Sequence, residues 1–190
     1  MLGLMQDWPL TCSRILDQAA RQHGRQEVVT RSIEGPIVTT TYADIHARAR
    51  KVAQALTAEG IRPGDRVGTL AWNTARHLEA WYGIMGAGGV YHTLNPRLFP
   101  EQIAWIMNHA EDRMLFTDLT FLPIVEKIAG EVPSLRKVIV MTDAAHMPDT
   151  SLKNAVAYED WIAGHDGEVE WYPNAEADAS GMCYTSGTTG

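Results

Sequence analysis

Apolar positions along this chain recur at two spacings, and the switches between them mark its elements. From Ser13 to His23, Ile15, Leu16, Ala19 and Ala20 fall at helical spacing, with Gly24 placed to end the helix. Two β-branched runs follow, Val28-Val-Thr and Ile37-Val-Thr-Thr-Thr, separated by Glu34-Gly35-Pro36, which predicts a hairpin. Thr41-Tyr-Ala-Asp44 has the form of a capping box, with a hydroxyl at the N-cap and an acid three residues on. Behind it Ile45, Ala49, Val52, Ala53 and Leu56 make one apolar helical face, ended by Gly60. After Pro63-Gly64-Asp65 the pattern becomes regular. Arg66 to Ala71 is a strand, and Thr74 caps a helix carrying Leu78, Trp81, Tyr82 and Met85. Gly88-Gly89 ends that helix, and Val90 to Thr93 is the next strand. Pro100 opens a helix with Ile103, Ile106 and Met107 inward, and Arg113 to Thr117 is strand-like. Thr120 caps a helix through Val125 and Ile128, and Lys137 to Met141 is a buried type of strand. Strands alternating with helices of this length predict an α/β fold: a mainly parallel sheet with flanking helices, preceded by an early β-hairpin. Beyond Met141 the regularity fades. Residues 142–157 read as a loop, Tyr158 to Ala163 as a short helix and residues 164–179 as a polar surface connection. Gly181 to Tyr184 reads as a short strand that delivers a terminal loop.

Composition narrows the function classes. The chain has 190 residues, 45% of them hydrophobic and 21% charged, enough for one core without staples. Its 16 Lys and Arg against 23 Asp and Glu give a net charge of −7. Nucleic-acid binding needs clustered cations, and none are present. Cys12 and Cys183 are too few and too far apart for a disulfide framework or a zinc site. Such thiols fit a reducing compartment, and the opening residues do not form a secretory signal, so the expectation is a cytoplasmic protein. No apolar run is long enough to span a membrane.

The densest chemical signal closes the sequence: Thr185, Ser186, Gly187, Thr188, Thr189 and Gly190, after an apolar strand. Hydroxyls donate to anionic oxygens, and glycines let backbone N–H groups converge on one anion. The spacing is neither that of the Walker A loop nor that of the dinucleotide fingerprint. The same composition also makes an ordinary turn with no ligand.

Tyr184-Thr-Ser-Gly-Thr-Thr-Gly190 resembles the phosphate-loop signature of the adenylate-forming superfamily, which includes acyl-CoA synthetases, peptide-synthetase adenylation domains and luciferases. Thr41-Tyr-Ala-Asp44, Gly60-Ile-Arg-Pro-Gly-Asp-Arg-Val67 and Asn95-Pro-Arg97 stand in the order that superfamily shows upstream of its loop. Narrower stretches are similar to bacterial medium- and long-chain fatty acyl-CoA ligases: Ala71-Trp-Asn73, Arg76-His-Leu-Glu79, His92 to Leu98 and Asn108-His-Ala-Glu-Asp112. The resemblance implies the N-terminal subdomain of the adenylate-forming fold, with residues 1–190 a partial N-terminal domain cut at the phosphate loop. It implies a two-step ligase: a carboxylate attacks ATP to give an acyl-adenylate, and coenzyme A then displaces AMP. Thr185 to Gly190 would hold the ATP phosphates, with Thr185 also in the Mg²⁺ cluster. No catalytic residue is expected within the chain, a homodimer is expected, and the substrate is a fatty or other carboxylic acid. A stand-alone phosphate- or nucleotide-binding module and a carrier-loading adenylation domain are the alternatives. The chain alone is expected to fold but not to catalyse, its loop fraying from Thr185 onward.

Other residues read as structural. His92 and His109 orient turns or pack. Arg97 makes a salt bridge beneath the sheet edge. Glu111-Asp112 is a solvated turn, and Trp81, Tyr82 and Trp105 are core or interface aromatics.

Overall fold

The computed structural model describes residues 3–5 and 7–185. Helix α1 (Cys12–His23) leads into a hairpin of β1 (Glu27–Arg31) and β2 (Ile37–Thr41), antiparallel with Val29 opposite Thr39. Helix α2 (Tyr42–Ala58) starts at the capping box the sequence predicts. Asp44 N donates to Thr41 Oγ1 at 3.2 Å, and Thr41 N donates to Asp44 Oδ2 at 3.1 Å. Two backbone N–H groups at the helix start are thereby satisfied.

Then follow β3 (Arg66–Leu70), α3 (Ala75–Gly86), β4 (Val90–Thr93), α4 (Pro100–Ala110), β5 (Met114–Thr117), α5 (Leu122–Ile128), β6 (Lys137–Val140), β7 (Ala155–Ala157), α6 (Tyr158–Ala163) and β8 (Gly181–Cys183). Strands β3 to β8 form one parallel sheet, in the order β7-β6-β5-β3-β4-β8. Its interior strands are covered on both faces, as parallel sheets require; every residue of β5 is buried. On one face Val52 and Leu56 of α2, Ile84 of α3 and Trp161 and Ile162 of α6 pack on Val67, Phe116 and Ile139. On the other, Ile103 and Met107 of α4 and Val125 and Ile128 of α5 pack on Leu70, Leu115 and Val138. Helix α1 lies outside α2 and α3, with Leu16 against Ile45, Tyr82 and Met85.

The structure corrects four local readings. Residues 142–157 are not all loop, because Ala155 to Ala157 add an edge strand to β6. Three residues are too short a run to stand out as a period. Residues 164–179 are not merely a surface connection. Arg50 donates to Val169 O, and the Trp171 ring lies so close to Gly86 that a Cβ there would meet it at 2.2 Å. Thr120 does not cap α5, whose N-cap is Phe121; the Thr120 hydroxyl instead accepts from Trp72 Nε1 at 3.2 Å. Arg97 is exposed and makes no salt bridge among the described residues; its backbone N–H donates to Asn95 Oδ1. No helix among the described residues is long and apolar enough to cross a membrane.

Candidate functional site

The chain after β3 turns to one face of the sheet through α3, whereas the chains after β4 and β5 turn to the other through α4 and α5. In open parallel sheets ligands bind beyond the carboxyl ends of the strands, where the connections diverge. Three groups of side chains bear on the reading of that edge.

The first is at β8. Its register with β4, Thr93 opposite Cys183, carries the chain to the carboxyl edge at Tyr184 and Thr185. Thr185 is exposed there, while Ser186, Gly187, Thr188, Thr189 and Gly190 lie outside the described residues. Beside Tyr184 is a pocket of about 160 Å³ lined by Leu94, Asn95, Leu98, Ile106 and Cys183. Nearby, His92 and Asp112 are wholly buried and paired, His92 Nδ1 standing 2.9 Å from both carboxylate oxygens. Asp112 is therefore not a solvated turn residue. The pairing is possible because β3 has Gly68 between them: a Cβ there would come within 3.1 Å of Asp112 Oδ2. Burial raises the Asp112 carboxyl above its ordinary value, opposed by the hydrogen bond and charge of His92. Its neighbour Glu111 does behave as a turn residue, closing α4 in the left-handed region at φ 55° and pairing with Arg66 at 2.9 Å.

The second group caps β3 and β5. Asp118 is fully buried, its Oδ2 accepting from the Trp72 backbone N–H and its Oδ1 lacking a partner among the described residues. Burial pushes this carboxyl up to about 6, and the nearby charge of Glu34 adds to the effect. The exposed Trp72 ring packs on Phe121 at 5.2 Å.

The third group ties the hairpin, α2, α3 and α6 together. Arg48 donates to buried Glu79 at 2.8 Å and to both oxygens of Glu159 at 3.0 Å. Arg76 donates to Glu159 at 2.8 Å, to Glu34 at 2.7 Å and to Met141 O at 3.0 Å. The Tyr158 hydroxyl donates to Glu79 at 2.7 Å. Burial raises the Glu79 carboxyl even beside Arg48. Glu34, Asp143 and His146 could each offer an atom to one ion. Glu34, however, already accepts from Arg76 and Thr142, and Asp143 from His146, so the grouping reads as a hydrogen-bonded crossing.

Of the sequence-expected site, the structure thus places Thr185 at the carboxyl edge. Sequence reasoning missed Asp118 and the His92–Asp112 pair. A lone acid just past a buried strand was the available signal for Asp118. Nothing in the spacing of residues 92 and 112 announced their pairing.

Comparison with known proteins agrees with this geometry. The sequence profile of the family described as AMP-binding enzyme matches residues 16–190. The chain is 45% identical over 190 residues to the 3-methylmercaptopropionyl-CoA ligase of Ruegeria pomeroyi, covering all of this chain and 35% of that protein. It is 43% identical over 190 residues to the medium-chain-fatty-acid–CoA ligase of Ectopseudomonas oleovorans, covering all of this chain and 35% of that one. It is 44% identical over 186 residues to the long-chain-fatty-acid–CoA ligase of Thermus thermophilus, covering 98% of this chain and 33% of that one. The chain therefore spans about a third of the length of the curated relatives it matches. The crystal structure of the anthranilate CoA ligase AuaEII in complex with anthranoyl-AMP shares the fold, with a TM-score of 0.82 and 23% identity over 97% of this chain and 33% of that one.

Proposed function

The chain belongs to the AMP-binding enzyme family, and from that premise we propose that it is the N-terminal part of an ATP-dependent acid–CoA ligase. The observation that carries this reading is identity of 43–45% along the whole chain to ligases that join carboxylic acids to CoA. In the proposed reaction a substrate carboxylate oxygen attacks the α-phosphorus of ATP, and the bond to pyrophosphate breaks. The thiol of CoA then attacks the acyl carbon, and AMP leaves. Residues 1–190 are proposed as a partial N-terminal domain, the adenine, acyl and CoA sites being supplied by sequence beyond it.

Within this chain the proposed work is phosphate binding. Thr185, Ser186, Thr188 and Thr189 would donate hydroxyls and Gly187 and Gly190 backbone N–H groups to the β- and γ-phosphates, which become the leaving pyrophosphate. Mg²⁺ when bound supplies charge neutralisation on those oxygens. Thr185 is an exposed residue at the carboxyl edge, and its hydroxyl is a hard oxygen ligand of the kind that ion accepts. The substrate is proposed as a medium- or long-chain fatty acid or another small acid, the acceptor as CoA, the compartment as the cytoplasm and the assembly as a homodimer. CoA is favoured over a carrier protein because the relatives matched at 43–45% are CoA ligases, whereas a fatty acid–[acyl-carrier-protein] ligase matches at 28%.

The test is a thiol-acceptor assay on the full-length protein with a panel of acids, among them 3-methylmercaptopropionate and medium- and long-chain fatty acids. We expect CoA thioester formation with loss of ATP, and no product from residues 1–190 alone. Thr185→Ala or Thr188→Ala should lower ATP–pyrophosphate exchange by more than about tenfold, the effect of about 1.4 kcal/mol of lost transition-state stabilisation. Unchanged exchange in both variants would overturn the phosphate-loop reading; binding without turnover would favour a simple nucleotide-binding module.

A further inference from the structure

Tyr184 immediately precedes the hydroxyl- and glycine-rich loop, and three aromatic neighbours hold it. Its hydroxyl is hydrogen-bonded to His109 Nδ1. Its ring lies edge-on to His109 at 5.7 Å and edge-on to Trp105 at 6.3 Å. The His92 ring is 5.5 Å away, tilted at 46°. Trp105 and His109 sit one turn apart on α4, and their rings stack at 5.0 Å and 11°. His92 is itself fixed from behind by Asp112, whose carboxylate accepts a hydrogen bond from Nδ1–H. The His92 Nε2 atom is buried without a hydrogen-bond partner among the described residues.

Packing alone does not call for this arrangement. Strand β8 is a three-residue edge strand, and Trp105 is 59% exposed. A role limited to covering the sheet would be met by aliphatic residues, as it is elsewhere on this face by Ile103 and Met107. Here two histidines, a tryptophan and a buried carboxylate converge on one tyrosine. The His92–Asp112 pair is buried and the Tyr184–His109 bond lies at the exposed surface; a directional hydrogen bond selects one arrangement where apolar contacts tolerate several.

We propose that His109 and the Asp112–His92 pair are positioning residues: they hold Tyr184, and with it Thr185 at the carboxyl edge, in one place. The inference rests on the phosphate-loop reading above. A loop whose starting point is fixed has less backbone freedom to lose on binding, so its affinity for pyrophosphate rises without a new contact. None of these residues needs to touch the ligand.

The test uses the full-length protein, with inorganic pyrophosphate as the probe in calorimetry and with KM for ATP separated from kcat. Tyr184→Phe keeps the ring and removes the hydroxyl; His109→Ala removes its partner. Each is expected to weaken pyrophosphate binding and to raise KM for ATP by about fivefold, the scale of one net hydrogen bond, with kcat little changed. His109→Asn, which keeps a polar group near the position of Nδ1, should recover most of the loss. Tyr184→Phe should melt at the unsubstituted protein's temperature, and it decides the matter if His109→Ala fails to fold. Normal pyrophosphate affinity in Tyr184→Phe, or a fall in kcat alone, overturns the inference; if Thr188→Ala still weakens binding, the phosphate-loop reading survives it. Normal affinity in Thr188→Ala as well overturns both.

Discussion

Asp118 carries an ionisation cost that pH can reveal. Its carboxyl titrates near 3.8 in an unfolded chain and at about 6 when buried. Between those values the folded state holds more protons than the unfolded state, so stability falls as pH rises through the window and the penalty is complete above it. Asp118→Asn keeps an acceptor for the Trp72 N–H and cannot ionise. The variant should match the unsubstituted protein near the acid end of that window. At neutral pH it should be the more stable by about 3 kcal/mol, because each tenfold change in proton affinity is worth about 1.4 kcal/mol. Urea midpoints across that range would show it, and a pH-independent difference would count against it. The Arg48–Glu79 pair is probed by removing one partner. Glu79 is 2% exposed, so Arg48→Met leaves its carboxylate without a counter-charge, held only by the Tyr158 hydroxyl, and should destabilise by about 3 kcal/mol. Adding Glu79→Gln should recover part of that loss, a coupling measurable in a double-mutant cycle.

At the scale of elements, α2 and α3 meet backbone to side chain at Gly83. A Cβ on Gly83 would stand 2.5 Å from Val52 Cγ1 and 2.9 Å from Ala49 O. Both neighbours are rigid, one β-branched and one backbone, so the helices must separate to admit a methyl group. Gly83→Ala should cost about 2 kcal/mol despite the better helix propensity of alanine. A thermal melt unchanged by that substitution would mean the interface gives more readily than its geometry indicates.

For the molecule as a whole, the hairpin presents two exposed aliphatic residues on one face. Val29 and Ile37 lie on one face of it, opposite Thr39 and Arg31, and are 64% and 62% exposed. If the proposed homodimer forms through this face, these two residues are the ones it would cover. The proposed homodimer should sediment as such at micromolar concentration, and Val29→Glu should shift it toward monomer. A monomer throughout would remove the proposal. Much of the architecture is legible in the sequence because it follows from local rules. The 3.6-residue period of α2, its Thr41–Asp44 box, the glycines that end helices and the apolar runs of β3, β5 and β6 depend only on neighbours along the chain. So does the family, because the stretches that carry it are contiguous. The tertiary structure alone decided what depends on distance through space. It recruited Ala155 to Ala157 into the sheet, folded Trp171 against Gly86, and drew Asp112 out of a turn and against His92 through the space left by Gly68. A side chain's burial, its partner and its proton affinity are set by residues that pack on it from other elements, and sequence periodicity carries no record of those contacts.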